Sequence, residues 1–215
     1  MRGRADFSLA LVLCLVLGIA GAQAAAPPAF QAGVHYQLID PPQPVQVSAK
    51  GRVEVVELLW YGCRTCFVVQ PELRRWVERH RAMITFRRMP AITNEQMIFL
   101  ARAFYAAQAL GVVERIHEPL YAAIHRHRRR MDNEEALVAF FAEQGVDPAA
   151  FRRAFHSRFT ARKVRQARIM SRRYAIQGAP SIIIDGRYRV DPSMVHSVGE
   201  MMAVLDFLIA RAAAD

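Results

Sequence analysis

Cysteine is scarce in this chain: Cys14, Cys63 and Cys66 are the three present among 215 residues. That excludes a small scaffold stapled by disulfides, which needs a short chain dense in cysteine. Lysine is scarcer still. Only Lys50 and Lys163 stand among the 29 basic residues, so arginine carries almost all of the formal net charge of +10, which favours acidic partners only weakly. Low-complexity linkers and internal repeats are also missing. Hydrophobic residues at 53% against charged residues at 22% supply ample core material, so global disorder is excluded. The length fits one domain, or one domain carrying an insertion.

A membrane span is missing too. The apolar run Phe7 to Ile19 stops short of the roughly 20 residues that a transmembrane helix needs. Arg2 and Arg4 precede it and Ala22-Gln23-Ala24 follows, a small-x-small cleavage site, so residues 1–24 read as a secretory signal peptide. A lipoprotein signal at Cys14 is the weaker option, because Leu13 is not a small residue. Cleavage after Ala24 removes Cys14 and leaves Cys63 and Cys66 alone. Export implies an oxidising compartment. Yet a bridge between cysteines three positions apart closes too short a loop to contribute much chain-entropy stabilisation. The pair reads as reactive rather than structural.

Along the chain, residues 25–49 form a Pro-, Gln- and Ala-rich arm with one short strand expected at Val34–Ile39. Arg52–Tyr61 is β-branched and apolar, a strand buried on both faces. A helix follows Cys63-Arg64-Thr65-Cys66, with a kink expected at Pro71, and Met83–Met89 is a further strand. From Thr93 to Tyr174 the pattern is helical throughout. Thr93 with Gln96 resembles a capping box, Gly111 and Gly145 are stops, and Pro119 should kink or break its helix. Asp132 or Asn133 caps the next helix, and Asp147 before Pro148 caps another, with Phe151, Phe155 and Phe159 at i, i+4, i+8. Beyond Gly178-Ala179-Pro180, Ser181–Asp185 and Tyr188–Val190 read as a hairpin about Asp185-Gly186, and Ser197–Ala213 as a closing helix. The order β–β–α–β, four to five helices, β–β–α is an α/β chain.

Cys-x-x-Cys at a helix start has a clear chemistry. Unpaired N–H groups and the dipole of the first turn favour a thiolate there. Cys63, at the end, gains most and should be nucleophile and leaving group. Cys66, one turn on, should resolve the mixed disulfide. Arg64, a permanent cation, would favour the Cys63 thiolate further, and the Thr65 hydroxyl would donate to a sulfur. A stabilised thiolate makes the disulfide form the stronger oxidant. Half of a zinc site and an inert structural disulfide are the other readings of the pair; no second cysteine pair, and no histidine pair at finger-like spacing, completes a four-ligand zinc site.

The run EVVELLWYGCRTC at 54–66, the helix after it, the long helical segment, and GAPSIIIDGRY at 178–188 resemble the DsbA family of periplasmic thiol–disulfide oxidoreductases, from about Val34 to Ile209. The resemblance implies a thioredoxin-like fold with an inserted helical domain: a first part at 25–92, the insertion at 93–174, and a second part at 175–215. It implies Cys63 as attacking cysteine, Cys66 as resolving cysteine, and Pro180 as a cis-proline facing them. Proline is the residue for which a cis bond costs little, and such a bond at Ala179–Pro180 would turn the Ala179 backbone outward to pair with an extended substrate. A plain strand-start proline is the other reading of Pro180. Glu57, six residues before Cys63, matches the family's buried acid and would exchange the Cys66 proton; an exposed strand edge is its other reading. Two departures bear on redox tuning and partner choice: Arg64-Thr65 where the family typically has Pro-His, and Ala179 where it typically has Val.

Trp60 and Tyr61 read equally well as an apolar rim for unfolded chains or as strand-core residues. The basic run at 125–130 (HRHRRR) reads as a solvated helix end, or as a site for acidic lipid, polyanion or metal. Nothing points to a nucleotide site, a metal cluster, a Ser/His/Asp set or nucleic-acid binding, and no cofactor is expected. The function expected is oxidation of cysteine pairs in newly exported proteins, in the periplasm, with a quinone-linked membrane reoxidant of the DsbB type. A specialised reductase or exchange protein with narrow clients, and a non-catalytic chaperone-like module, are the alternatives. An isomerase is disfavoured, since no separate dimerisation domain precedes the fold.

Overall fold

The computed structural model describes residues 30–46 and 51–214; the signal segment with Cys14, the start of the arm and Lys50 lie outside them. In chain order the elements are β1 (Gln37–Leu38), β2 (Val53–Leu59), α1 (Arg64–His80), β3 (Ile84–Pro90), α2 (Gln96–Ala109), α3 (Val113–His125), α4 (Glu134–Glu143), α5 (Pro148–His156), α6 (Arg158–Arg173), β4 (Ser181–Ile184), β5 (Tyr188–Val190) and α7 (Val198–Ala214). The strands form one sheet in the order β1-β5-β4-β2-β3. β2 and β3 run parallel, and the other neighbours are antiparallel.

β2 is buried along its whole length, as its largely apolar run anticipates, because helices cover both faces of the sheet. Alternation then assigns its side chains. Val53 and Val55 join Ile182 and Ile184 in a core with Leu73 and Trp76 of α1 and Leu205 and Leu208 of α7. Val56 and Leu58 join Ile183 in a second core with Phe104, Leu120 and Phe141 of the helices between β3 and β4. Glu57 has the parity of Val53 and Val55, so it points into the layer that α1 covers.

The caps explain most helix boundaries. Asn133 caps α4 through Ala136 N–H, and Asp147 caps α5 through Ala150 N–H with Pro148 behind it. The expected capping box at Thr93 and Gln96 does not form. α2 begins at Gln96 behind a helical Glu95 with no side-chain cap, and Thr93 instead donates from its N–H and hydroxyl to Met97 Sδ at 3.4 and 3.5 Å. Pro119 does not break α3. The carbonyl it frees belongs to Arg115, an exposed residue, so the lost donor leaves no buried group unpaired. The phenylalanine series at 151, 155 and 159 is not one helix: Ser157 ends α5 and caps α6 through Thr160 N–H. In the arm, only Gln37–Leu38 pair with β5, and the expected strand is shorter than Val34–Ile39. The β4–β5 turn has positive φ at both Asp185 and Gly186, 53° and 63°, and Arg187 N–H closes it on the Ile184 carbonyl at 3.0 Å, one residue before the Ile184–Tyr188 pair.

Candidate active site

Cys63 is the N-cap of α1, and its Sγ accepts the Cys66 N–H at 3.0 Å. Sulfur thus takes the place that a serine or aspartate oxygen holds in an ordinary N-cap. No acidic residue stands in the first turn to oppose a negative charge. The Cys63 thiol is brought down to about 7 by the Cys66 side chain and by the backbone N–H groups of Cys66 and Thr65, against the opposing effect of partial burial. Cys66 is fully buried. Burial first, then its hydrogen bond to Cys63, pushes its thiol far up. The two thiols are therefore unequal: one half-exposed and easily ionised, the other buried and hard to ionise.

The second wall is the loop before β4. The Ala179–Pro180 bond is cis, and the Cys63 S–H donates to the Ala179 carbonyl at 3.1 Å. Beside it lies a concavity of about 340 Å³ with Gly178, Ala179, Pro180, Asp191 and Met194 in its wall. The loop is anchored from β5. Arg189 donates to the carbonyls of Tyr174 and Ala175 and to Asp191 (Nε to Oδ2, 2.8 Å), and the Ser181 hydroxyl reaches Asp191 Oδ1 at 2.5 Å. A fixed loop backbone therefore faces the nucleophilic sulfur.

Glu57 is wholly buried, which removes the exposed-edge reading. Its neighbour across the β2–β3 ladder is Arg88, whose Nε donates to Oε2 at 3.2 Å, while the Gln70 side-chain N–H donates to Oε1. Burial raises the Glu57 carboxyl, and Arg88 and Gln70 oppose the rise. Gln70 Oε1 in turn takes His117 Nε2–H at 2.9 Å, and His117 Nδ1 takes the Tyr61 hydroxyl at 3.2 Å. A continuous polar chain so runs beneath the cysteines from β3 through β2 and α1 to α3.

The sequence similarity now bears on this geometry. A DSBA-like thioredoxin domain model matches residues 64–204. The chain belongs to that family. It is 35% identical over 200 residues to the thiol:disulfide interchange protein DsbA of Burkholderia cepacia, covering 93% of this chain and 94% of the relative. It is 29% identical to that of Pseudomonas aeruginosa, covering 94% and 95%. The crystal structure of Pseudomonas aeruginosa DsbA superposes with a TM-score of 0.79 at 29% identity over 86% of this chain and 95% of that one. The DsbA of Xylella fastidiosa does so with 0.80 at 28% identity over 88% and 100%. The fold is thus thioredoxin-like with the α2–α6 helices inserted, and the protein is a thiol–disulfide oxidoreductase of the DsbA kind.

Within this DSBA-like domain, three sequence-based site expectations change. Tyr61 is not a surface rim residue. It is 1% exposed, packed on Tyr121 at 4.9 Å and bonded to His117, because the chain turns inward after β2 ends. Trp60 is half-buried against the same core, its indole close over Gly62. The Arg64 guanidinium is held away from the helix start: it donates to the His125 carbonyl at 3.1 Å and lies over the Phe67 ring. Thr65 contributes through its backbone N–H rather than its hydroxyl.

The basic run is not one surface. His125, at the end of α3, stacks on Phe67 with ring centroids 5.3 Å apart and donates from Nε2 to the Tyr61 carbonyl at 2.8 Å. Arg129 pairs with Glu143 and Arg130 with Asp132. Sequence reading missed Gln70, Arg88, His117, His125 and Arg189 as parts of the site. A polar residue on the apolar face of a helix, as Gln70 and His117 are, was the available signal.

Proposed function

We propose that Cys63 and Cys66 form the redox pair through which this protein introduces disulfides into exported proteins. Oxidation of a client runs in balanced steps. A client thiolate attacks Cys63 Sγ, the Cys63–Cys66 bond breaks, and Cys66 leaves with the electron pair and takes up a proton. The client's second thiolate then attacks the client sulfur of the mixed disulfide and expels Cys63 as a thiolate. The client loses two electrons and the pair gains them. Reoxidation reverses the sense: Cys66 attacks the mixed disulfide between Cys63 and the reoxidant and closes the pair. Resolution by Cys66 therefore belongs to the reoxidation half, and to the release of clients that lack a second thiol.

Pro180 and Ala179 present the backbone against which an extended client lies, with Trp60 at the margin, and Glu57 exchanges the Cys66 proton. Residues 25–92 and 175–215 supply this machinery, and the helical segment 93–174 closes over it. The signal segment at 1–24 sends the protein to the periplasm. A quinone-linked membrane protein of the DsbB type withdraws the electrons, and newly exported cysteine-containing proteins are the clients.

The observation that supports this direction most is the N-cap geometry of Cys63, with the Cys66 N–H on its Sγ at 3.0 Å: stabilising the thiolate stabilises the dithiol form and makes the disulfide the better oxidant. Equilibration of the pair with glutathione tests it. An oxidising potential with peptide oxidation abolished by Cys63→Ser is expected; a strongly reducing potential would reverse the direction.

A further inference from the structure

Resting on the reading of Glu57 as the acid–base partner of Cys66, we propose that Gln70 and His117 are positioning residues that lock the hydrogen-bond polarity around Glu57 and hold it as the proton-accepting anion of the dithiol form.

A carboxylate only accepts, so Gln70 must turn its N–H toward Glu57 Oε1 and its Oε1 toward His117. His117 must then carry its proton on Nε2, which leaves Nδ1 bare to accept the Tyr61 hydroxyl. Every link points toward Glu57, and Arg88 adds a fourth donor on Oε2. A protonated Glu57 donating to Gln70 needs the opposite polarity. The Gln70 amide would flip, the His117 proton would move to Nδ1, and the Tyr61 hydroxyl would have to turn to another acceptor. Tyr61 is buried, and His117 is its hydroxyl's partner among the described residues. Reversal thus strands a buried donor, which is costly. His117 makes the polarity hard to reverse because it ties the Gln70 amide to the Tyr61 hydroxyl, so the amide cannot flip without stranding that donor.

The groups facing Glu57 on each side are accounted for. Arg88 of β3 pairs with it, and Glu114 of α3 sits on the far side of Arg88 at 2.7 Å. From α1 come Gln70 and the Cys66 thiol, and Tyr61 and Tyr121 lie close enough to feel the Glu57 charge. Ile182, its neighbour in β4, is apolar. His117 is kept neutral by burial, down to about 3, so it serves as a fixed neutral donor and adds no charge of its own. A cavity of about 290 Å³ between α1 and α3, with Gln70, Phe67 and Tyr121 in its wall, has room for water.

The test uses the step in which Cys66 loses its proton. Full-length protein carrying a Cys63 mixed disulfide with 5-thio-2-nitrobenzoate releases that thiolate when Cys66 attacks Cys63. One S–S bond forms as another breaks, and the Cys66 proton passes to Glu57. The release rate is followed against pH. His117→Phe should move the low-pH limb upward by about one pH unit, since the Gln70 amide that donates to Glu57 is then free to flip. His117→Gln, which keeps a donor near the Nε2 position, should restore the parent profile. A His117→Phe profile that superimposes on the parent, in protein that melts cooperatively, overturns the proposal; if that variant does not fold, Gln70→Leu takes its place under the same criteria. Glu57→Gln separates the two readings. If it leaves the limb intact, the assignment of Glu57 fails and this proposal with it. If it abolishes the limb while His117→Phe shifts nothing, only this proposal fails.

Discussion

The Cys63 thiol and the Ala179 carbonyl are separated by 116 positions in sequence and by 3.1 Å in space. The same sulfur accepts the Cys66 N–H at 3.0 Å. One atom therefore joins the N-terminus of α1 to the loop before β4, and its reactivity is set where the two meet.

Alkylation of the reduced protein should follow this inequality. The rate at Cys63 should rise through a midpoint at about 7, while Cys66 stays unmodified until far higher pH. Arg64→Ala should leave that midpoint in place, since Arg64 is held by the His125 carbonyl; a clear upward movement would restore Arg64 as a thiolate stabiliser. The linkage has a defined sign. A thiol held below its usual value of 9.0 in the fold contributes stability fully present above that value and lost as pH falls through about 7. The reduced form should therefore gain on the disulfide form between pH 7 and 9, as read from paired thermal melts.

His117 should make the fold acid-sensitive. Its imidazole is buried neutral, depressed from 6.5 to about 3. That contribution to stability is complete above 6.5 and is lost as pH falls toward 3, by up to about 3 kcal/mol between pH 6.5 and 4. Urea unfolding at those two pH values should show a smaller drop for His117→Gln than for the parent.

Arg189 should matter to both stability and exchange. Removing its guanidinium by Arg189→Leu strands the carbonyl of the buried Tyr174, releases that of the exposed Ala175 to solvent, and leaves Asp191 with the Ser181 hydroxyl among the described residues. A loss of about 2–3 kcal/mol in unfolding free energy is expected. Client oxidation should slow through a raised KM, because the loop carrying Pro180 loses its anchor. An unchanged KM would show that the loop holds itself.

Gly186 should tolerate no side chain. Its φ is +63°, and a Cβ there would sit 2.1 Å from the Gln43 carbonyl oxygen. Gly186→Ala should cost about 2 kcal/mol or more, from the left-handed backbone and from displacing the arm that crosses the hairpin. Denaturant melts of the two proteins, read by circular dichroism, give the difference.

How much was legible can be read from single residues. The Asp147–Pro148 start of α5 and the Asp185-Gly186 turn were visible because their causes are local: a side-chain cap, a fixed φ, a permitted positive φ. The unused capping box at Thr93 was misread for the same reason, and the break allowed for at Pro119 does not occur. Local rules state what a residue permits, and the neighbours decide whether it is used. Arg64 shows this most plainly. Its position beside Cys63 suggested a through-space effect on the thiolate, but α3 ends nearby with a free carbonyl that binds the guanidinium instead.

The sequence alone determined the chemistry: two cysteines one helical turn apart behind a buried strand, and a proline ahead of a second strand. Spacing along a helix and the φ limits of proline are properties of the chain itself. The tertiary structure decided which polar groups gather beneath those sulfurs. Glu57, Gln70 and His117 lie on β2, α1 and α3, and Arg88 on β3, so no local pattern pairs them. They come together because each is a polar group buried where two layers meet, and a polar group buried there must find a partner from another element.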